Sequence, residues 1–173
     1  VQTGGPRLVL GLGIPKGGVL DECVRMATEL GVHEVALLRA QRSVPRWDET
    51  RARSRVERLE RIAVEAAAQC ERSDIPVVHL PRSVEQWTAS LPSGTAAVVF
   101  GARAQGRFTL DQPPEQVWCA VGPEGGFTDE ELATFRAAGF EVASLGPTIL
   151  RVDTAVASGL TVIGEQARTL QAR

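Results

Sequence analysis

Short apolar runs rich in β-branched residues alternate along this chain with stretches of helical periodicity, and that alternation limits the possible folds more than any other feature. Arg7–Leu12 reads as a strand, and Leu20–Leu30 as a helix with Leu20, Cys23, Val24, Ala27 and Leu30 on one face. Gly31 stops that helix, and Val35–Leu38 is the next strand. Over Arg53–Arg72 the residues Val56, Leu59, Ile62, Ala63, Ala66, Ala67 and Cys70 form an apolar stripe, while arginines and glutamates take the wet face. Pro76–Leu80 and Ala96–Phe100 are short strands, with Ser83–Leu91 helical between them. Val117–Val121 and Glu141–Leu145 are two further strands. Between them, Thr128 with Glu131 three residues on makes a capping box for a helix ending at Gly139. The last helix runs from about Asp153 to Arg168. Strict alternation of this kind implies an α/β fold, a parallel sheet covered by helices on both faces. No repeat, low-complexity stretch or linker interrupts it, so residues 1–173 are expected to form one domain.

Composition narrows the functional classes. The 173 residues are 43% hydrophobic and 23% charged, enough for a real core, and no apolar run approaches the roughly 20 residues that span a bilayer. A net charge of -2 argues against a chain that is basic throughout. The basic residues are nevertheless uneven: all are arginine except Lys16, and between Arg39 and Arg61 eight arginines face only Asp48, Glu49, Glu57 and Glu60. A local patch can bind a polyanion even when the total charge cannot. Cys23, Cys70 and Cys119 stand far apart, without a CxxC, and only His33 and His79 could join them, so no metal site is expected. Each cysteine lies among apolar residues and reads as a small buried hydrophobe, in keeping with a reducing, cytoplasmic setting.

Three glycine-containing loops follow strands. Gly11-Leu-Gly13 with Gly17 has the wrong spacing for a dinucleotide fingerprint and reads as an ordinary loop. Gly122-Pro123-Glu124-Gly125-Gly126 is different, because it leaves the carboxyl end of a buried strand just before a capped helix. That is where open α/β sheets bind ligands, and glycines there let the backbone approach one closely. Leu145–Ala155 repeats the situation: a Gly-Pro loop, then Arg151, Asp153 and Thr154 before a small-residue helix. Asp153 or Thr154 can serve as that helix's N-cap. Arg151, set between Leu150 and Val152, suggests contact with an anion or a carbonyl.

The segments GPEGGFTDEEL (Gly122–Leu132) and LGPTILRVDTA (Leu145–Ala155) together resemble the signature of the 16S rRNA (uracil-N3)-methyltransferases, the RsmE family of the knotted SPOUT superfamily. Ile14–Gly17, Ala27–Val32, Arg42–Val44 and Arg61–Arg72 extend the resemblance over nearly the whole chain. It implies a C-terminal deep trefoil knot and a bent S-adenosylmethionine in the loops at the knot. It also implies homodimers through the knot, and action on 16S rRNA of the small ribosomal subunit. Carried onto this sequence, the cofactor residues would be Phe100, Gly101, Val121, Gly122, Pro123, Glu124, Gly125, Gly126, Leu145, Gly146, Ile149, Leu150, Arg151, Thr154 and Ala155. The chain departs from the family pattern at Gly18, at the Phe100–Arg103 segment, and at Thr148, Val152 and Asp153; at Asp153 a shorter carboxylate replaces the usual glutamate. The family's small N-terminal PUA-like RNA-binding domain has no counterpart here, and with Val1 at the start the expectation is a separated catalytic domain.

Uracil N3 carries a proton and is a weak nucleophile until it leaves. The expected chemistry therefore needs a base, with Asp153 or Glu124 as candidates, and a cation to stabilise charge spreading onto the uracil carbonyls, with Arg151 as candidate. Lys16, Arg42 and Arg46 are candidates for RNA phosphates, and Trp47 for stacking on a base. The alternative readings are a SPOUT methyltransferase acting on another RNA such as tRNA, and a non-catalytic RNA-binding module.

Overall fold

A computed structural model describes residues 5–172; residues 1–4 and 173, the ends of the expected domain, lie outside the description. The elements are β1 (Arg7–Gly13), α1 (Val19–Glu29), β2 (Glu34–Leu38), α2 (Glu49–Gln69), β3 (Val77–Arg82), α3 (Val84–Thr88), β4 (Ala96–Phe100), β5 (Gln116–Val121), α4 (Asp129–Ala137), β6 (Glu141–Ala143) and α5 (Val152–Gln171). The six strands form one sheet in the order β3-β2-β1-β5-β4-β6, and every pairing is parallel. The chain builds outward from β1 to β3, then crosses to the other half of the sheet for β4, β5 and β6.

Alternate residues of the strands feed two cores. On one face Leu8, Leu10, Leu12, Leu37, Val98 and Cys119 pack under α1, α2 and α5. On the other, Val9, Leu38, Val99, Trp118 and Ala120 meet Val84 and Trp87 of α3, Phe135 of α4, and Phe127 just before α4. Burial of each large aliphatic side chain contributes roughly 1.5–3 kcal/mol. Trp87 stacks on Trp118 with centroids 4.9 Å apart, and Phe135 and Phe140 close around it.

Several boundaries differ from the sequence reading, for local reasons. α2 begins at Glu49 rather than Arg53, because Asp48 caps it by accepting a hydrogen bond from the Arg51 amide at 2.8 Å. It also ends at Gln69, short of Arg72. α3 covers only Val84–Thr88, opened by a Ser83/Gln86 capping box. β6 stops at Ala143, and α5 extends to Gln171. The capping box of Thr128 and Glu131 stands as read.

Gly11 and Gly13 belong to β1 rather than to a loop. A Cβ at Gly11 would lie 2.5 Å from the Trp87 ring, and one at Gly13 would lie 2.4 Å from Pro123 Cδ. These glycines make room for neighbouring groups. Cys23 and Cys119 are buried and their thiols are pushed up to about 12, chiefly by burial; Cys70 is only half-buried and donates weakly to the Ala67 carbonyl. Among the described residues no helix is long and apolar enough to cross a membrane, and no group of three or more potential ligand side chains is placed to hold a metal ion.

Candidate functional site

At the carboxyl ends of β4, β5 and β6 lies a cavity of about 390 Å³. That size is within the range of small-molecule sites, roughly 300–1,000 Å³. Three loops converge on it: Phe100–Ala102 after β4, Val121–Gly126 after β5, and Ser144–Val152 leading into α5. Of the fifteen cofactor residues expected from sequence, all but Gly125 and Thr154 line this cavity. Thr154 is exposed on the first turn of α5, and Gly125 points its carbonyl at Arg42 instead. Val19, Ala102, Ser144, Thr148, Val152 and Asp153 complete the lining. Nothing local in the sequence marks Val19; it arrives because α1 packs beside α5. Ser144 is held in place by its own loop, since its hydroxyl accepts from the Gly146 amide and donates to the Gly146 carbonyl.

Close backbone packing shapes the glycine loop. A Cβ at Gly122 would sit 3.0 Å from the Gly126 backbone, and Gly126 takes a φ of 69°, open to glycine at little cost. Two hydrogen bonds from remote loops hold this turn. The Lys16 amide donates to Glu124 Oε1 at 2.9 Å, and Arg42 Nη1 donates to the Gly125 carbonyl at 2.8 Å. Glu131 adds a third link, accepting from the Gln41 amide as well as from its own cap residue Thr128. The glycine loop after β5 and the start of α4 are therefore tied to Lys16 and to the Gln41–Arg42 segment.

The candidate reactive groups Glu124, Arg151 and Asp153 all line this cavity. α5 starts at Val152, with Arg151 as the N-cap residue and no side-chain cap, so neither Asp153 nor Thr154 plays the capping role read from sequence. The Asp153 carboxylate sits in the first turn, accepts from the Thr154 amide at 2.9 Å and lies 3.6 Å from Arg151 Nε. A carboxylate there suits the positive end of the helix, which satisfies it without a cap. The Arg151 side chain is otherwise exposed at the cavity. Behind the wall is Cys23, whose thiol is raised first by burial and then by the negative charges of Asp153, Glu124 and Glu22.

Of the residues expected to meet RNA, Lys16 and Arg42 touch the glycine loop, whereas Arg46 and Trp47 line a separate small pocket with Arg39 and Pro81. Lys16 is exposed beside Glu124, and Arg46 makes only a long contact of 3.5 Å with the Gln41 carbonyl. Trp47 is half-buried against the core, with the Arg55 guanidinium 6.0 Å over its ring, so part of the surface offered for base stacking is already taken. Within the Arg39–Arg61 run, Arg53 pairs with Glu49 and Arg58 with Asp21, whereas Arg51, Arg55 and Arg61 have no carboxylate within 4.0 Å among the described residues.

A parallel sheet with glycine loops and an arginine at the mouth of a strand-end cavity is the arrangement of an RNA methyltransferase domain, and the sequence profile of that domain matches residues 4–164. The ribosomal RNA small subunit methyltransferase E of Synechocystis sp. is 34% identical over 162 residues, covering 90% of this chain and 52% of the relative. The Bacillus subtilis enzyme of the same name is 30% identical over 174 residues, covering 95% and 68%. The crystal structure of the Neisseria gonorrhoeae enzyme of that name, bound to S-adenosylmethionine, superimposes with a TM-score of 0.86 at 25% identity, covering 92% of this chain and 66% of that one. A methyltransferase from Legionella pneumophila, also in complex with S-adenosylmethionine, gives 0.87 at 28% identity with the same coverage. The chain belongs to the family of ribosomal RNA small subunit methyltransferases E. It spans 52% to 68% of the length of these two curated relatives.

Proposed function

We propose that this chain is the catalytic domain of an S-adenosylmethionine-dependent methyltransferase acting on N3 of a uridine in 16S rRNA of the small ribosomal subunit. The observation that carries the reading is the convergence of both glycine loops and the start of α5 on one cavity of about 390 Å³. The residues present fit the cofactor. Backbone N–H and C=O groups of Val121–Gly126 and Leu145–Leu150 can read an adenine edge, and apolar Phe100, Val19 and Ala155 can cover its faces. When bound, S-adenosylmethionine supplies an electrophilic methyl group on a sulfonium centre.

The chain's own groups do the rest. Arg151, exposed at the cavity mouth, stabilises negative charge on the uracil carbonyls as N3 loses its proton. Asp153, half-buried on the same turn, or Glu124 accepts that proton; each has one oxygen already engaged, by the Thr154 amide and the Lys16 amide respectively. The loops position N3 against the methyl donor, which is where most of the barrier reduction arises. Lys16, Arg42 and Arg46 hold RNA phosphates at the rim.

Two further features belong to this proposal. The segment from β6 to α5 is read as a trefoil knot, supported by the route of the chain. β6 pairs outside β4 at the sheet edge, yet α5 returns to press Gly159 onto Phe100, where a Cβ would lie 2.6 Å from the ring. A homodimer through this region is supported by Ile149, which is 73% exposed beside the cavity. Replacing Ile149 by Asp then converts a dimer to a monomer in sedimentation analysis.

The decisive experiment is incubation with methyl-labelled cofactor and assembled small subunits, followed by mass mapping of the modified nucleoside. N3-methyluridine in 16S rRNA is the expected product. A ribose-methylated or guanine-methylated product redirects the reading to another RNA methyltransferase. Absence of cofactor binding by calorimetry on folded protein redirects it to a non-catalytic module.

A further inference from the structure

Beyond the strand-end cavity, on the far side of its β4–β6 wall, lies a second groove of about 610 Å³. Gly101 and Ala102 line the cavity, while Arg103 and Ala104 line the groove; Ser144 faces the cavity and Ala143 the groove. The wall is a fixed piece of backbone. The Gly101 amide donates to the Ala143 carbonyl, the Ala104 amide to the Gly101 carbonyl, and the Ser144 amide to the Gly106 carbonyl. Three arginines from separate places converge on the groove: Arg103 and Arg107 from the segment after β4, and Arg136 from the last turn of α4. Phe140, Val142 and Ala143 supply apolar lining, and Glu141 is the only acidic lining residue.

Seven other arginines of the chain are held by carboxylates. Arg7, Arg25, Arg53, Arg58, Arg72, Arg151 and Arg168 each lie within 4.0 Å of a carboxylate. Arg103, Arg107 and Arg136 have no ion-pair or hydrogen-bond partner for their guanidinium groups among the described residues, although Glu141 shares the groove. Arg136 has a local purpose, since a cation in the last turn complements the helix dipole. That accounts for one of three. Convergent guanidinium groups with free donors bind phosphate oxygens in bidentate fashion, and repeated phosphates favour a polyanion over a single ion.

We propose that Arg103, Arg107 and Arg136 bind the sugar-phosphate backbone of the RNA substrate, on the opposite side of the cavity from Lys16 and Arg42. RNA then crosses the cavity mouth between two basic banks, which holds a target base over the opening. The proposal rests on the RNA-substrate reading given above and adds a contact surface to it.

The test compares the unaltered chain with the triple variant R103A/R107A/R136A. Affinity for a single-stranded oligouridylate is measured across a salt series, alongside calorimetry with S-adenosylmethionine and a thermal melt. Each lost phosphate contact lowers the slope of log affinity against log salt by about 0.7, so the triple variant is expected to lose about 2 units of slope. Affinity near about 50 mM salt is expected to fall at least about tenfold, with cofactor affinity and melting temperature unchanged. The charge-retaining variant R103K/R107K/R136K keeps most of the slope, and the control R25A/R168A, whose arginines are already paired, keeps it as well. An unchanged slope in the triple variant, with clear salt-dependent binding by the unaltered chain, overturns the groove alone. No salt-dependent binding by the unaltered chain overturns the RNA reading and the groove together. A matching loss of cofactor affinity overturns direct contact, since it shows that the shared wall has moved.

Discussion

The two ends of the sheet solve opposite problems. At the amino end, charged groups satisfy one another. Glu34 accepts from Arg7 at 2.7 Å through one oxygen and lies 2.6 Å from His79 Nε2 through the other. Arg72, only 4% exposed, bonds the carbonyls of Thr28 and Val32 and the carboxylate of Asp74. His33 Nδ1 accepts from the Leu8 amide. At the carboxyl end the loops are held by a few long-range hydrogen bonds, and the Arg151 side chain, apart from its approach to Asp153, stays exposed at the cavity. One end is a closed electrostatic network that stabilises the fold. The other keeps its hydrogen-bonding capacity open toward a ligand.

Substitutions at the two ends are expected to separate into activity and stability effects. The largest is expected for Arg151→Ala, with methyl transfer to small subunits falling about 10²–10³-fold while the melting temperature stays put. A labelled-methyl assay beside calorimetric melting checks it, and full activity in the variant removes Arg151 from its assigned role. Next comes Arg72→Ala at the other end, which strands two carbonyls and a carboxylate. It should cost about 3 kcal/mol in denaturant unfolding and leave cofactor affinity of the folded protein intact. Gly13→Ala belongs to both classes, because its Cβ must push Pro123. A loss of about 1–3 kcal/mol together with weaker cofactor binding is expected, and a pure stability change would show that the glycine loop absorbs the shift.

Acid should act first on the amino end. Burial lowers the His33 imidazole below its ordinary value, against the pull of Asp74. The Arg72 hydrogen bond holds the Asp74 carboxyl low. Burial pushes the Glu34 carboxyl up, but hydrogen bonds from Arg7 and His79 outweigh it and leave it below its ordinary value. All three shifts are downward, so each contribution is present above the unfolded-state value and lost as pH falls. Unfolding free energy is expected to decline below about pH 6.5 through His33 and more steeply below about pH 4 through the two carboxylates. Urea titrations from neutral pH downward measure this, and in Glu34→Gln/Asp74→Asn the steep decline below about pH 4 is expected to vanish while the His33 decline remains. The smallest change is expected for Arg42→Ala: a few-fold weaker cofactor binding from a loosened Gly125 carbonyl, with less than about 1 kcal/mol of stability lost.

How much of this was legible in the sequence follows from range. The alternation of elements, the box at Thr128 and Glu131, and the glycine loops depend on residues a few positions apart, so periodicity and spacing display them. The cap at Asp48 starts α2 ahead of the apolar stripe that periodicity displays, whereas α3 starts at its Ser83 cap as read and differs only in closing at Thr88. The glycines of β1 looked like loop residues because the groups they accommodate, Trp87 and Pro123, are distant in the chain.

The sequence by itself therefore determined the class of fold and the two glycine loops of the cavity, since both are written in local pattern. Tertiary structure alone decided what holds those loops and what surrounds them. Glu124 and Lys16 are 108 residues apart, and Arg42 and Gly125 are 83 apart, yet both pairs meet across one turn. The groove of Arg103, Arg107 and Arg136 exists only because β6 pairs beside β4 and carries α4 with it. Local spacing encodes what neighbouring residues can do to one another; the partners of a side chain's charge and hydrogen bonds are set when the chain closes on itself.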